Sequence, residues 1–401
     1  MNKNINALYQ IAQKQSRKII GLMSGTSLDG LDIALCEISG SGVNTDVKLL
    51  QFETVDYSEE IKTEIRKVFA QKTIDFQHLV LLNEWIGLLH AEMINESLKK
   101  WNIDAKEVDL IASHGQTVLH APKFLHQQEK FPNATLQIGD GDHIAVKTGI
   151  ITLSDFRQKH VAAGGEGAPL AVYGDYFLFG KEGENRIMLN IGGIANFTYL
   201  PSAINAEETF VTDTGPGNTL IDLFVKQYFL DKSFDKDAEI AKQGTVNQSL
   251  LEHLKDNAFF KQDFPKTIGQ ELFGFDYVTI ALAKSDNKNI TPQDLLATLT
   301  RFSAETIAEA IQFASKKSNR KIQDFKIYVS GGGAHNPLLI EWLKELLPCQ
   351  FNKTNDLGIN SDAKEAILFA LLANETVAGG DFNFGTAKIP SVTMGKISMP
   401  D

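Results

Sequence analysis

Residues 21–32 read GLMSGTSLDGLD and join two short apolar segments at 19–20 and 33–35. A simple hairpin needs only about two turn residues, whereas this connection combines hydroxyl groups, glycines and carboxylates. Glycine lets the backbone approach a ligand closely, and hydroxyl and carboxylate groups bind anions, water or metal ions. The stretch therefore predicts a pair of strands whose turn holds a ligand.

Length and composition limit the class of protein. The chain has 401 residues, which is too long for one ordinary core and predicts two domains. Hydrophobic residues make up 43% and charged residues 22%, as in a globular protein. The formal net charge of −11 provides no basic surface, so we expect neither nucleic acid nor membrane as a partner.

Cysteine usage and the first residues indicate the compartment. Cys36 and Cys349 are the only cysteines and neither belongs to a paired ligand motif, so a disulfide framework is not expected. Residues 1–18 lack the apolar core of a signal peptide, and no apolar run is long enough to span a membrane. We therefore expect a cytoplasmic protein with a polar N-terminal extension.

Apolar periodicity predicts an α/β protein with mixed sheets. In the first half we expect strands at 17–25, 31–40 and 47–57, helices at 61–69 and 75–100, a strand at 107–117 that runs into a polar loop, and a loop-rich segment at 131–175. In the second half we expect a strand pair at 186–200, a strand leading into a tight loop at 209–218, a strand and glycine loop at 326–337, and helices at 291–315, 336–347 and 362–378.

Three glycine-containing loops are candidates for binding phosphate. The chain contains neither the G-x-x-x-x-G-K-[ST] motif nor the catalytic-loop signatures of protein kinases. The candidates are SGTSLDG, DTGPGNTLIDLF and SGGGAHNPLLIEWL, and in the last we expect Asn336 to cap a helix that begins at Pro337. One such loop alone is more often a plain turn, but three at strand ends favour ligand binding.

Carboxylates recur in these polar turns. An isolated acid in a glycine-rich turn usually bonds within the turn, and this remains the alternative for Asp29, Asp32, Asp155 and Glu166. Asp213 differs, because it ends an alternating strand and precedes a rigid Pro-Gly turn. A carboxylate held in this way can act as a general base with little reorganisation.

Other side chains leave structural and functional alternatives open. Glu365 lies three residues after Asp362, the spacing of a capping box, and helix capping is its default role. His114 and His120 lie where a strand is expected to end, so each could be structural or could bind a sugar. A zinc hydrolase and acyl-transfer chemistry are disfavoured, since the spacings that they require are missing.

Taken together, the motifs GLMSGTSLDGLD, SHGQT, SDFRQKHVAAGGEGAPL, LNIGGIANF, DTGPGN and SGGGAHN resemble those of the anhydro-N-acetylmuramic acid kinases of bacterial cell-wall recycling. The resemblance spans about 19–378. It implies a two-lobe actin/hexokinase-like (ribonuclease H-like) fold with an interdomain active-site cleft. The expected parts are an N-terminal extension (1–18), an N-terminal lobe (19–150) completed by part of the C-terminal tail, a C-terminal nucleotide-binding lobe (151–380) and the tail (381–401).

The resemblance also implies a reaction. Water opens the anhydro ring of 1,6-anhydro-N-acetylmuramic acid, and the freed O6 receives the γ-phosphoryl group of Mg-ATP. Asp213 matches the general base, and Glu365 matches an acid near the site, which weakens its pure capping role. ATP and Mg²⁺ are the expected cofactors, and Asp29 would contact the metal through water.

Two sets of binding residues follow from the same resemblance. The expected ATP-binding residues are Ser24, Gly25, Thr26, Ser27, Asp29, Gly30, Gly192, Gly193, Asn196, Gly215, Gly217, Asn218, Gly331, Gly332 and Gly333. The expected sugar-binding residues are His114, Gln116, Asp155, Arg157 and Glu166. The partners would be the amino sugar and ATP, and the family implies a homodimer.

Two departures and two alternatives remain. Residues 1–18 have no counterpart in the pattern, and the ending IPSVTMGKISMP matches it only loosely and receives no role. One alternative is a hydrolase that opens the same sugar without ATP by means of paired carboxylates. The other is a non-catalytic sugar sensor on the same scaffold, since fold does not determine function.

Overall fold

The computed structural model describes residues 2–25, 27–268, 272–285, 289–359, 362–379, 384 and 390–401. The chain forms two compact units. Unit 1 comprises Met1–Phe179 and Asp362–Asp401, and unit 2 comprises Gly180–Ser361. The chain therefore leaves unit 1 once and returns to complete it. Within the described ranges, no helix combines the length and the apolar character needed to cross a bilayer.

Unit 1 is built on a seven-stranded mixed sheet. Its strands are β1 (Ser16–Ser24), β2 (Gly30–Ser39), β3 (Asp46–Asp56), β4 (Leu110–Ala121), β5 (Ala134–Ile138), β6 (Thr152–Ser154) and, from the end of the chain, β12 (Lys396–Ser398). The order is β12–β6–β4–β1–β2–β3, and β5 pairs with β4. Strands β1, β4 and β6 are mutually parallel, so their carboxyl ends share one edge, where open α/β sheets bind ligands.

Helices cover this sheet. They are α1 (Lys3–Ala12), α2 (Glu59–Arg66), α3 (Phe76–Trp101), α4 (Lys123–His126), α5 (Gly141–Thr148), α6 (Phe156–Ala162), α7 (Ala171–Phe179) and α13 (Lys364–Ala378). Helix α13 is buried along residues 366–375 and lies against β1. A Cβ atom on Gly21 would lie 1.9 Å from the carbonyl oxygen of Ala366, so glycine at this position permits the close packing.

Unit 2 contains a five-stranded sheet in the order β11–β10–β7–β8–β9. The strands are β7 (Asn185–Ile191), β8 (Ile194–Leu200), β9 (Phe210–Pro216), β10 (Phe325–Ser330) and β11 (Gln350–Lys353). Its helices are α8 (Thr219–Tyr228), α9 (Gln248–Lys255), α10 (Phe275–Lys284), α11 (Pro292–Lys317) and α12 (Pro337–Leu346). Strand β10 is parallel to β7 and β11, whereas β7, β8 and β9 form an antiparallel meander.

Most elements of the fold agree with the sequence. The α/β class with mixed sheets is confirmed, as are the strand pair around residues 21–32 and the glycine hairpin in 186–200. Helix α12 begins as expected: Pro337 is its first residue, and the Asn336 side chain accepts a hydrogen bond from the Leu339 N–H at 3.0 Å.

Three expectations were wrong. The segment 131–175 is not loop-rich, because it contains β5, β6 and three helices. The strand predicted at 107–117 does not end in a polar loop at SHGQT; β4 continues to Ala121, since β5 pairs with its second half. Glu365 does not complete a capping box, because the N-cap of α13 is Ala363 and no side chain caps it.

The boundaries of the units differ from those drawn on the sequence. The sequence places a boundary at residue 150 and assigns residues 362–378 to the second lobe, whereas unit 1 continues to Phe179 and includes α13. Strand β6 pairs with β4 and with β12, which occupies part of the ending that received no role. Periodicity cannot reveal which distant strand a segment will pair with, so it could not place these boundaries.

Candidate active site

A row of polar side chains crosses the sheet of unit 2. The strand registers place Ser330 opposite Asn190, Asn190 opposite Asn196, and Asn196 opposite Asp213. Residues directly opposite one another point to the same face of a sheet. All four are half-buried, whereas most of the residues before them on their strands are buried. The row therefore forms a polar surface on an otherwise apolar sheet.

Asp213 is the anchored acid of this row. Its backbone N–H donates to the Lys266 carbonyl at 2.9 Å, and its Oδ2 accepts from the Ile268 N–H at 2.8 Å. Burial raises its pKa to about 6, although this hydrogen bond and the charge of Lys266 act in the opposite direction. Its Oδ1 accepts no hydrogen bond from a described residue, so one oxygen of an oriented carboxylate with a nearly neutral pKa can take a proton.

Two glycine turns lock together beside the row. The N–H groups of Gly217 and Thr219 donate to the Gly193 carbonyl, and the N–H of Asn218 donates to the Gly192 carbonyl at 2.8 Å. A Cβ atom on Gly217 would lie 2.3 Å from that Gly192 oxygen. The expectation that these amides point at an anion is therefore wrong for residues 217–219, where they hold the hairpin against α8.

The triple glycine after β10 divides into two roles. Gly331 has φ +81°, and a Cβ atom there would lie 2.7 Å from Asn190 Oδ1. At Gly333 it would lie 2.2 Å from Ile191 Cγ2. At Gly332, in contrast, the nearest atom would be Asn218 Nδ2 at 3.6 Å, an ordinary contact. The outer glycines thus serve packing, while Gly332 faces open space.

Gly332 borders a cavity of about 610 Å³ in unit 2. The cavity is also lined by Asn218, Asp222, Lys226 and His335. Burial raises the pKa of Asp222 to about 6, with Lys226 acting against the shift. The sequence analysis missed these last three residues. Asp222 could have been found, because it follows Asn218 by four positions and so shares a face of α8.

In unit 1, the motifs SHGQT and DFR meet through two side chains. Arg157 Nε donates to His114 Nε2 at 2.9 Å, and His114 Nδ1 lies 2.9 Å from the Gly115 carbonyl oxygen and 3.1 Å from that of Ser24. A nitrogen that faces carbonyl oxygens must carry the hydrogen, so Nδ1 is protonated and Nε2 accepts. Burial, aided by Arg157, lowers the pKa of His114 to about 3, which keeps the ring neutral.

The same network holds the loop that carries Glu166. Arg157 Nη1 donates to the Gly167 carbonyl at 2.8 Å, and the Gly167 N–H donates to His160 Nδ1 at 2.9 Å. These two hydrogen bonds hold both the carbonyl and the N–H group of Gly167, which has φ +84°. The sequence analysis missed His160, although its position three residues after Arg157 on α6 was a usable signal.

The remaining acids of unit 1 occupy distinct surroundings. Glu365 is accessible to solvent, yet nearby protein raises its pKa by desolvation, while the charges of Arg157 and Lys364 act to lower it. Asp155 forms an ion pair with Lys396 of β12. Asp155 and His114 line a polar cavity of about 330 Å³.

The segment Ser24–Gly30 joins β1 to β2 and is called the first turn below. It contains both buried and exposed groups. Thr26 lies outside the described residues. Ser24 and Gln116 are buried, and Ser24 Oγ lies 2.5 Å from Gln116 Oε1. Side chains that bond to each other in the interior are not free for a ligand, so this structure does not place either in contact with ATP or sugar. Ser27 and Asp29 are exposed at the turn.

Comparison with known proteins identifies the family. The family model described as anhydro-N-acetylmuramic acid kinase matches residues 17–398. The chain belongs to this family. A relative of that name from Pseudoalteromonas atlantica is 54% identical and covers 100% of both chains, so it includes the N-terminal extension. The relative from Caldanaerobacter subterraneus is 40% identical, covering 98% of this chain and 100% of its own.

Among solved structures, a hexokinase from Schistosoma mansoni in complex with glucose has a TM-score of 0.35 at 13% identity, covering 90% of this chain and 86% of the hexokinase. Membership in the anhydro-N-acetylmuramic acid kinase family confirms the resemblance found in the sequence motifs. It also confirms the prediction of a kinase that uses ATP, and it does not favour the hydrolase or the sensor.

Carboxylates near the first turn suit a magnesium ion. Burial raises the pKa of Asp32, and the negative charges of Asp362 and Asp29 add to the effect. A cation would relieve this repulsion, and carboxylate oxygen is a ligand that Mg²⁺ accepts. Within the described part of the chain, Glu84, Asp140 and His143 are the one group close enough to enclose a metal directly, and they lie elsewhere in unit 1.

Proposed function

We propose that this chain opens 1,6-anhydro-N-acetylmuramic acid with water and phosphorylates its O6 from ATP. The water oxygen attacks C1, the C1–O6 bond breaks, and O6 forms a bond to the γ-phosphorus while ADP leaves. The water proton passes to Asp213. The products are N-acetylmuramic acid 6-phosphate and ADP. The observation that carries the proposal is the anchored Asp213 carboxylate, with one free oxygen and a pKa of about 6.

A single carboxylate is sufficient for this reaction. In an ordinary glycosidase a second acid protonates the leaving oxygen. Here the leaving O6 passes its developing negative charge to phosphorus, so no separate general acid is required. The polar row agrees with a single base, because Asp213 is its one acid and its other members are Ser330, Asn190 and Asn196.

The nucleotide side of the proposal rests on unit 2. Gly332 and Asn218 border the cavity of about 610 Å³, which is in the size range of small-molecule sites. We assign the phosphates to the surroundings of Gly332, the one glycine of its triplet that faces open space, and the nucleoside to this cavity. The residues proposed for ATP in unit 2 are Gly192, Gly193, Asn196, Gly215, Gly217, Asn218 and Gly331–Gly333.

In unit 1, we propose the first turn as a phosphate-binding segment. Its exposed members, Ser27 and Asp29, are candidates for direct contact, and Gly25 and Gly30 for close approach of the backbone. When bound, Mg²⁺ would neutralise phosphate charge. Asp29 would hold it through water, and the negative charges of Asp29 and Asp362 close to Asp32 support this placement.

The sugar side rests on the network around Arg157. We assign Arg157, Glu365, Glu166 and Asp155 to sugar contacts and give His114 the role of orienting Arg157. No described carboxylate forms an ion pair with Arg157, so its charge is available for an anionic group of the substrate. We also propose a homodimer, a cytoplasmic location and a role in cell-wall recycling, and membership in the family supports these proposals.

The proposal is tested by measuring ADP release with and without the anhydro sugar. ADP should appear only when the anhydro sugar is present, together with a sugar 6-phosphate detected by mass spectrometry. N-acetylmuramic acid, which lacks the 1,6-anhydro bridge, is the matched control. Ring opening without ATP would indicate the hydrolase, and a thermal shift with the sugar but no turnover would indicate the sensor.

A further inference from the structure

Four buried polar side chains form a continuous chain beneath the first turn. Ser24 Oγ lies 2.5 Å from Gln116 Oε1 and 2.8 Å from the Tyr57 hydroxyl, which in turn lies 2.7 Å from His90 Nε2. All four residues are at most 3% exposed. Tyr57 and His90 belong to none of the sequence motifs, and the reaction described above does not use them.

The hydrogen-bond directions along this chain are fixed from one end. Gln116 Nε2 lies 3.0 Å from the Gly25 carbonyl oxygen and 3.1 Å from that of Thr117, so this atom must be the donating NH₂ group. Gln116 Oε1 is then an acceptor, and the Ser24 hydroxyl must donate to it. Ser24 Oγ therefore accepts from the Tyr57 hydroxyl.

The direction continues to the far end. Because the Tyr57 hydrogen is used on Ser24, its oxygen must accept from His90 Nε2–H. Burial lowers the pKa of His90 to about 4, so the ring is neutral and carries one hydrogen, on Nε2. This leaves Nδ1 unprotonated, and Nδ1 has no partner among the described residues. The single donor of His90 thus holds the Tyr57 oxygen in the position from which the Tyr57 hydroxyl donates to Ser24.

The chain ends at the backbone of the first turn. Gln116 holds the Gly25 carbonyl, and His114 Nδ1–H approaches the Ser24 carbonyl at 3.1 Å. The opposite end is anchored in α3, a helix of 26 residues. A buried polar chain of this kind is costly in an apolar interior unless every member is satisfied, yet here it connects a long helix to the two residues at which the turn begins.

We propose that Tyr57 and His90 are positioning residues that hold the Ser24–Gly25 end of the first turn in the geometry that receives the phosphates of ATP. The inference rests on the proposed function, in which this turn binds ATP. Neither side chain touches the ligand; each acts through Ser24 and Gln116.

The first test compares two buried tyrosines. Tyr57→Phe removes only the hydroxyl and interrupts the chain, whereas Tyr173→Phe removes a hydroxyl that donates to the Pro390 carbonyl at 2.8 Å, also in unit 1. Both variants should lose some stability. Loss of one buried hydrogen bond corresponds to roughly tenfold in an equilibrium, so Tyr57→Phe should raise KM for ATP about tenfold, and Tyr173→Phe should leave it unchanged.

The second test uses rescue at His90. Glutamine can place an N–H near the position of Nε2, so His90→Gln should retain the hydrogen bond to the Tyr57 oxygen and a KM for ATP near that of the original protein. His90→Leu removes the donor and should behave like Tyr57→Phe. If His90→Gln and His90→Leu raise KM equally, or if Tyr57→Phe lowers the melting temperature without altering KM for ATP, the positioning role is overturned.

A third variant separates this inference from the proposed function. A Cβ atom on Gly25 would meet only Met23 Cε, at 3.4 Å, so Gly25→Ala fits the protein and probes ligand contact alone. If Gly25→Ala raises KM for ATP and Tyr57→Phe does not, the turn binds phosphate but Tyr57 and His90 do not position it. If neither variant alters KM, the assignment of the turn to ATP is wrong.

Discussion

Arg157 is oriented by a histidine that carries no charge: its Nε–H donates to His114 Nε2 at 2.9 Å. Arg157 is half-buried, and charged side chains that leave water are usually paired with an opposite charge. Within the described residues, however, no carboxylate lies within 4.0 Å of this guanidinium group. Glu365 is near enough to affect the pKa of Arg157 without forming an ion pair. A neutral partner fixes the direction of the cation and leaves its charge for a ligand.

Arg157→Lys should therefore impair sugar binding. The planar guanidinium group of Arg157 bonds both His114 and the Gly167 carbonyl, and lysine cannot make both hydrogen bonds at once. Loss of either hydrogen bond should raise KM for the anhydro sugar ~10–100-fold. KM for ATP should remain the same. Steady-state kinetics with each substrate varied in turn measures both.

The matched control is Arg186→Lys, which changes a buried arginine of unit 2 that pairs with Glu184 at 2.9 Å. It should reduce stability without affecting KM for the sugar. An anhydro sugar without the carboxylate of muramic acid adds a second control. If Arg157→Lys weakens both sugars equally, the guanidinium group of Arg157 does not recognise that carboxylate.

Gly332→Val should obstruct the nucleotide while leaving the fold intact. A Cβ atom at Gly332 meets nothing closer than 3.6 Å, yet the residue borders the large cavity of unit 2. We expect KM for ATP to rise by at least tenfold and the melting temperature to stay within a few degrees. Gly274→Val is the control, since a Cβ atom there meets no atom within 4 Å and Gly274 does not line this cavity. Equal KM values for ATP in the two variants would mean that the triple glycine is not part of the nucleotide site.

The sequence revealed those parts of the site that depend on neighbours along the chain. The strand–glycine–helix pattern at 326–337 located β10, the N-cap Asn336 and α12, because a strand end, a positive-φ glycine and a capping residue are local features. Asp213 was identified in the same way, from its place between an alternating strand and a rigid turn.

Features that depend on pairing across the fold were not accessible in this way. Asn190 is aligned with Asn196 and Asp213 only through strand register, and one sequence does not specify register. Tyr57 and His90 come together because α3 crosses the sheet, and neither carries a motif. The burial of Ser24 and Gln116 was missed for a related reason: a hydroxyl in a glycine-rich turn looks exposed until its buried partners are known.

Three buried histidines should make the protein sensitive to mild acid. Burial lowers the pKa of His90 and His160 to about 4 and that of His114 to about 3, whereas an unfolded histidine titrates near 6.5. Between these values the unfolded chain binds more protons than the folded one. The free energy of unfolding should therefore fall as the pH drops from about 6.5 towards 4, by up to ~1.4 kcal/mol per pH unit for each histidine.

His160→Asn tests this directly. Asparagine can retain an acceptor for the Gly167 N–H but does not titrate, so urea unfolding at pH 7.5 and pH 5 should show a smaller loss of stability in the variant. The value at pH 7.5 serves as the internal control for packing. If the difference between the two pH values is the same in both proteins, His160 does not contribute to acid sensitivity.

Asp213→Asn should abolish turnover while leaving ligand binding in place. The carboxylate has an oriented Oδ2 and a free Oδ1, and asparagine has nearly the same shape but cannot accept the proton of water. Loss of a general base typically lowers a rate by ~10²–10⁴. Because the pKa of Asp213 is raised to about 6, kcat/KM of the original protein should also fall as the pH drops below about 6.

Asp222→Asn is the matched control, since burial gives this carboxyl a similar pKa but it lines the nucleotide cavity; its effect should appear in KM for ATP. In ¹⁸O-water the original protein should place the label at C1 of the sugar and none in the phosphate. Label in the phosphate would mean that water attacks phosphorus, as in ordinary ATP hydrolysis, and would contradict the proposed ring opening. Near-normal kcat in Asp213→Asn would instead assign the role of base to Glu365 or Asp155.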